Sequence, residues 1–214
     1  MTDVIIRNIE ENDLPAIKSF IVEAWGEGWN LGSFDQNSDM FQALLETYLS
    51  MFLDSSTFAK VAVAGGKVVG AVMCSVNGEA ETLRHLQKDR IQHTLALFSA
   101  SETERKDIVE HLSTSFQTIG QLLESRVDIY DGSLEFIVVA RQAQGLKIGK
   151  TLWREASDYF KSKNAKAIYL IADSQCNTGF YDSNGFSRIA TKKAVYNYTA
   201  GQKKFDVYLY GYNF

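Results

Sequence analysis

An apolar run from Leu134 to Ala140 passes through Arg141-Gln142-Ala143-Gln144-Gly145-Leu146-Lys147-Ile148-Gly149 straight into a segment of helical periodicity. That segment, Lys150 to about Lys163, aligns Ile148, Leu152, Ala156, Tyr159 and Phe160 on one side, and Asn164 fits its C-cap. A second apolar run, Ala167 to Asp173, follows at once. Strand, helix and strand in this order predict a parallel pair, because parallel neighbours need a crossover long enough to hold a helix. No other feature limits the fold as much: the chain must be α/β. The helix between the strands opens on amides that have no intrahelical partner. Gly145 and Gly149 let the backbone approach a ligand there. The expected ligand is a phosphate or pyrophosphate, which the helix dipole also favours.

Two kinds of phosphate loop are open at this point. A P-loop reads G-x-x-x-x-G-K-[ST], and Lys150-Thr151, with Asp173 ending the next strand, speaks for it. Against it, Gln144 stands where the first glycine belongs, and the loop is one residue short. The short tail after Lys150 also leaves too little chain for a many-stranded parallel core.

The flanking segments fill out a single domain over residues 1–214. Val4 to Ile9 reads as a strand, and Asn12 or Asp13 as the cap of a helix with Pro15 in its first turn. Leu14, Ile17, Ile21 and Ala24 or Trp25 form that helix's buried stripe. A glycine-rich loop, Gly26 to Asn37, carries Trp29, and a second helix aligns Phe41, Leu44, Leu45, Tyr48 and Phe52. Two β-rich runs around Gly65-Gly66 predict a hairpin. Residues 79 to about 125 are polar and helical, and read as two helices or one broken helix inserted between strands. Ser101 to Glu104 is a capping box there, and Ile108, Leu112, Phe116, Ile119 and Leu123 form an apolar face. This face must be covered, either as a lid over a substrate site or against a second subunit in a homodimer. A short helix ending at Gly185 and a hairpin around Ala200-Gly201 complete the chain.

Composition narrows the functional classes. Twenty-two basic against 26 acidic side chains leave a net charge of −4, which disfavours nucleic acid as a partner. Cys74 and Cys176 have neither disulfide nor metal spacing, so a reducing compartment is expected. The amino terminus lacks a signal-peptide pattern and no run is long enough to span a membrane, so a cytoplasmic location without membrane contact is expected. His85, His93 and His111 lie in the insert without metal spacing and are expected at the surface, with no metal bound. Cys176 has no histidine near it in sequence and is expected to be a buried, inert thiol.

The stretch Gln144-Gly145-Leu146-Lys147-Ile148-Gly149 resembles the acyl-CoA-binding motif [RQ]-x-x-G-x-[GA] of the GCN5-related N-acetyltransferase (GNAT) superfamily. Lys147 stands where that family prefers glycine. Asn177-Thr178-Gly179-Phe180-Tyr181-Asp182-Ser183-Asn184-Gly185-Phe186 is similar to a second family segment, and the order of elements agrees outside the insert. The resemblance implies a mixed, splayed β-sheet flanked by helices, with the helical insertion preceding the cofactor-binding strand. It implies acetyl transfer from acetyl-CoA, as cosubstrate, to a primary amine of a small molecule or peptide. The amine would attack directly in a ternary complex. Carried over residue by residue, Ile137, Val138 and Val139 would meet the pantetheine arm, with the Val139 N–H aimed at the thioester oxygen. Backbone amides of Gln144, Gly145, Leu146, Lys147, Ile148, Gly149 and Lys150 would hold the pyrophosphate, and Asn177 would touch the cofactor arm. Tyr181 would be the general acid and Glu135 the general base beside the acceptor, with Trp29 as a wall of the acceptor site. Plainer roles stand beside these. Tyr181 could be a core aromatic bonded to backbone, Glu135 the partner of an arginine or lysine, and Asn177 a helix cap. A non-catalytic acyl-CoA-binding module on the same fold is the alternative function.

Overall fold

The computed structural model describes residues 3–26, 38–80, 83–87, 95, 100–124 and 129–214. Strand β1 (Val4–Asn8) leads into helices α1 (Leu14–Trp25) and α2 (Asp39–Ser55). The hairpin β2 (Phe58–Ala64) and β3 (Lys67–Val76) turns on Gly65 and Gly66, at φ 56° and 76°, as the glycine pair predicts. The insert helix α3 (Glu102–Leu123) precedes β4 (Gly132–Val139), α4 (Ile148–Ser162) and β5 (Ala167–Asp173). A short helix, α5 (Thr178–Ser183), and the terminal hairpin β6 (Ser187–Tyr198) and β7 (Gly201–Asn213) follow. The strands form one sheet in the order β1-β2-β3-β4-β5-β7-β6.

Only β4 and β5 run parallel, and their pairing is brief. Gly132 opposes Ile168 and Ser133 opposes Tyr169, after which the ladder stops. The splay therefore begins after Ser133, six residues before Val139, the residue whose N–H is expected to face the thioester. Its cause is visible on either side. β5 stays paired with β7 from Ala167 to Asp173, while β4 stays paired with β3 up to Val139. Each strand follows its antiparallel partner, and the twist of the sheet parts them. A register shift between Met73 and Cys74 leaves Glu135 as the extra residue of a bulge just where the strands separate. A single parallel pair is not the many-stranded parallel core of a P-loop enzyme, so that reading falls.

The stripe on α4 packs against the sheet, with Ile148, Leu152, Ala156 and Phe160 buried. Two local expectations change. Asp13 stands at the N-cap of α1 but its side chain does not cap it. Its carboxylate instead accepts both guanidinium nitrogens of Arg7, at 2.6 and 2.7 Å, and the Glu10 N–H at 2.8 Å. On α3 the capping box forms as predicted, but the buried face is partly polar. Asp107, His111 and Thr118 are buried beside Ile108 and Leu122, whereas Phe116 stays 48% exposed. The polar set is buried with partners at hand: just past β6, Thr199 gives Asp107 Oδ1 its N–H at 2.7 Å and its hydroxyl at 2.8 Å, and the Thr118 hydroxyl donates to the Thr114 carbonyl of its own helix at 2.7 Å. No described helix is long and apolar enough to cross a membrane.

Candidate active site

The gap between β4 and β5 exposes backbone groups. Antiparallel strands exchange hydrogen bonds through alternate residues, and the residues between point the other way. The Ala140 N–H donates to the Val69 carbonyl on the β3 side at 2.9 Å. In this register Ala140, Val138 and Phe136 face β3, so Ile137 and Val139 direct their N–H and C=O groups into the gap. Val138, expected to serve alongside them, spends its backbone groups on β3 instead.

The loop after β4 is a cradle of amides. A 3-10 turn at Arg141–Ala143 is pinned where Glu23 Oε1 accepts the Arg141 N–H at 2.8 Å. The Gln144 N–H is turned back to the Arg141 carbonyl at 3.3 Å, so the free amides begin one residue later than expected. From Gly145 to Lys150 no backbone N–H has a protein acceptor among the described residues. The first bond of α4 runs from the Thr151 N–H to the Lys147 carbonyl at 3.0 Å. Left-handed conformations at Gly145 (φ 82°) and Lys147 (φ 61°) curl these amides toward one side. The Lys147 value explains why glycine suits this position and how a lysine meets it, with its side chain exposed to solvent. Leu146 and Lys150 are exposed as well, whereas the Ile148 side chain is buried in the core and offers only its amide. A Cβ on Gly149 would lie 3.1 Å from the Phe180 ring, so this helix start is packed directly on α5. An anion of pyrophosphate type suits the cradle, by its unpaired donors and by the close approach that Gly149 permits.

Helix α5 carries Tyr181 to the mouth of the gap. Its ring packs on Tyr210 (centroids 5.4 Å apart) and Phe186 (5.8 Å). The hydroxyl has no hydrogen-bond partner among the described residues, which removes the plainer reading of a tyrosine tied to backbone. Burial pushes the phenol pKa well above its ordinary value, helped by nearby Cys176 and Asp173. Asn177 occupies the N-cap of α5 but makes no side-chain cap bond. Cys176 is half-buried, and burial together with neighbouring Asp173 pushes its thiol up to about 12, so it stays protonated as expected.

Two cavities open from the splay. The larger, about 670 Å³, runs from α1 past Ile137 to Val139, along the amide cradle, to Asn177 and Tyr181. The smaller, about 360 Å³, lies between α2, α3, β5 and β7. Both are lined by Trp25, Leu134, Glu135, Ile171, Gln175 and Cys176, so they meet at the bulge that carries Glu135. The Glu135 carboxylate accepts hydrogen bonds from the Ser133 hydroxyl and, at 3.1 Å, from the Ser75 hydroxyl. It pairs with no arginine or lysine among the described residues, so the structural ion-pair role does not apply.

His111 overturns the expectation of a surface histidine. It is 4% exposed, with Nε2 2.7 Å from the Tyr48 hydroxyl and Nδ1 2.7 Å from the Tyr198 hydroxyl. Burial lowers its pKa to about 4, with Lys203 adding to the effect, so the ring is neutral. The signal was present in the spacing: His111 sits three residues after Ile108 and shares that residue's face of α3. His85 is exposed, while Trp29 and His93 lie outside the described residues.

Residues 14–186 match the sequence profile described as "Acetyltransferase (GNAT) family". Among solved structures, the PaiA N-acetyltransferase of Thermoplasma acidophilum, in complex with coenzyme A, shares the fold at a TM-score of 0.54 and 14% identity, covering 99% of each chain. A GNAT-family acetyltransferase of Staphylococcus aureus Mu50 does so at 0.54 and 17%, again over 99% of each chain. A ribosomal-protein-alanine N-acetyltransferase of Brucella melitensis reaches 0.50 and 18%, covering 98% of this chain and 99% of its own. No curated protein sequence matches. At such identities the likeness is one of fold.

Proposed function

The chain belongs to the acetyltransferase (GNAT) family, and on that premise we propose that it moves an acetyl group from acetyl-CoA to a primary amine by direct attack. The observation that carries the reading is the meeting of two cavities at Glu135, one of them walled by unpaired backbone donors and Tyr181. A module that only binds acyl-CoA has no use for the second cavity. Acetyl-CoA supplies an acyl carbon on a sulfur leaving group. The amides of Gly145 to Lys150 receive its diphosphate, and Lys147 or Lys150 adds a charge at the rim. Ile137 and Val139 bond the pantetheine arm as an added strand would. The Val139 N–H then faces the thioester oxygen as negative charge develops on it. Asn177 lines the same cavity beside the arm.

Glu135 takes a proton from the incoming ammonium, directly or through water, and passes it to solvent. As the C–N bond forms and the C–S bond breaks, Tyr181 gives its proton to the departing sulfur. The second proton on nitrogen restores the phenol through water. One proton is released to solvent per turnover. A phenol held protonated by burial suits this step across the neutral range.

The test is consumption of acetyl-CoA against a panel of small amines, with CoA binding followed by thermal shift. Tyr181→Phe is expected to lose about 10²–10⁴-fold in kcat while binding CoA like the parent. Full turnover by that variant removes the acid role. Tight CoA binding by the parent, with no amine acetylated, assigns the chain to the binding-module class instead.

A further inference from the structure

The smaller cavity differs from the larger in its chemistry, and this difference points to a class of acceptor. Aromatic side chains from separate parts of the chain make its walls: Trp25, Tyr48 and Phe52 from α1 and α2, Tyr196 and Phe205 from the terminal hairpin. Phe116, Ile119 and Leu123 close it from α3. Those are three of the five residues whose helical spacing predicts an apolar face on the insert, so the cavity is what that face covers.

Among the described residues its charged lining is sparse and of one sign: Glu135 and Asp173 are the acids, and no described lysine or arginine lines it. Glu135 lies on β4 and Asp173 ends β5, so one carboxylate stands on each side of the splay. Neither pairs with a cationic side chain among the described residues. Asp173 Oδ1 accepts the Gln175 N–H at 2.8 Å, and burial raises its pKa, as expected of a carboxylate short of a counter-charge. Polar groups on the α3 side are engaged with one another. The Tyr48 hydroxyl meets His111, His111 meets Tyr198, and the Ser115 hydroxyl lies 3.1 Å from that of Tyr196. The cavity thus has an acidic end at the splay and an apolar body away from it.

Resting on the acetyl-transfer reading, we propose that this cavity takes a monoamine with an aromatic or bulky apolar body, whose ammonium sits between Asp173 and Glu135. A volume of about 360 Å³ is at the small end for ligand pockets, and more than twice the ~150 Å³ of a cavity that admits benzene. A second ammonium, as in a polyamine, would be carried into an aromatic wall with no carboxylate among the described lining residues to meet it. Asp173 is therefore a specificity residue of the acceptor site, and the insert helix α3 is the wall that excludes long cationic chains.

The experiment compares kcat/KM of the full chain for phenethylamine, tyramine and tryptamine with that for putrescine, spermidine and an alanyl peptide. Arylalkylamines are expected to lead by at least tenfold; a lead for polyamine or peptide overturns the proposal. Asp173→Asn is expected to raise KM for phenethylamine at least tenfold and leave that for acetyl-CoA unchanged. Equal KM values for phenethylamine in parent and variant also overturn it. Phe116→Lys, at a half-exposed position of the wall, keeps the test open if the first variant does not fold. It is expected to raise the amine KM with no change in melting temperature, and an unchanged KM counts against the proposal. Calorimetry of phenethylamine with CoA present separates the two readings. Binding without transfer ends the acetyl-transfer reading and leaves the pocket. Transfer to spermidine without phenethylamine binding does the reverse.

Discussion

Replacing Lys147 by glycine isolates the strain in the amide cradle. Lys147 adopts φ 61° and ψ 12° at the N-cap of α4. A left-handed residue with a Cβ costs roughly 1–2 kcal/mol. Glycine removes that cost but loses about 0.5–1 kcal/mol more chain entropy on folding. The side chain is exposed and makes no hydrogen bond or ion pair among the described residues, so no contact is lost. A net gain of about 0.5–1 kcal/mol follows, and at ~2–4 °C per kcal/mol for a chain of this length the melting temperature rises by about 1–4 °C. Calorimetric melts of the ligand-free protein measure it. The same variant reports on binding. If the Lys147 ammonium meets a phosphate, KM for acetyl-CoA rises severalfold, more at low salt than at high. The two readouts move oppositely, stability up and affinity down. A lower melting temperature would refute the strain argument whatever happens to KM.

Three other outcomes are expected. Gly149→Val drives a branched side chain toward Phe180, whose ring is 3.1 Å from a Cβ at that position; about 1–3 kcal/mol of overpacking and a raised KM for acetyl-CoA should appear together in melts and steady-state rates. His111 is held at about 4 against 6.5 unfolded, so its contribution is whole above pH 6.5 and is lost as pH falls toward 4. On this account the chain loses roughly 2 kcal/mol between pH 7 and 5, or about 4–8 °C, and His111→Gln flattens that slope. Because the Tyr181 pKa is raised, the phenol keeps its proton through the alkaline range in use, so kcat should show no fall between pH 7 and 9 that is present in the parent and absent in Tyr181→Phe.

Patterns local to a few residues were readable in advance. The Gly65-Gly66 turn, the Ser101 capping box and the apolar stripe of α4 each depend on neighbours within a turn or two, and each forms where spacing predicts. The start of α4 was readable too, because a helix that follows a strand through Gly145 and Gly149 leaves its first amides free whatever surrounds it. Asp13 shows the limit. It stands at the N-cap of α1, but Arg7 on β1 holds its carboxylate through two nitrogens, so the side chain does not cap the helix.

The chain order alone required an α/β fold with one crossover helix that opens on unpaired amides, since periodicity and unpaired helix amides are short-range properties. Where β4 and β5 part, that Glu135 becomes a bulge between two cavities, and that His111 is buried between two tyrosines were all decided by contacts between residues far apart in sequence. Pairing of β5 with β7, and packing of α3 on β6, set those positions. Such contacts depend on which surfaces meet after the elements have formed, and no pattern confined to a few neighbouring residues carries that information.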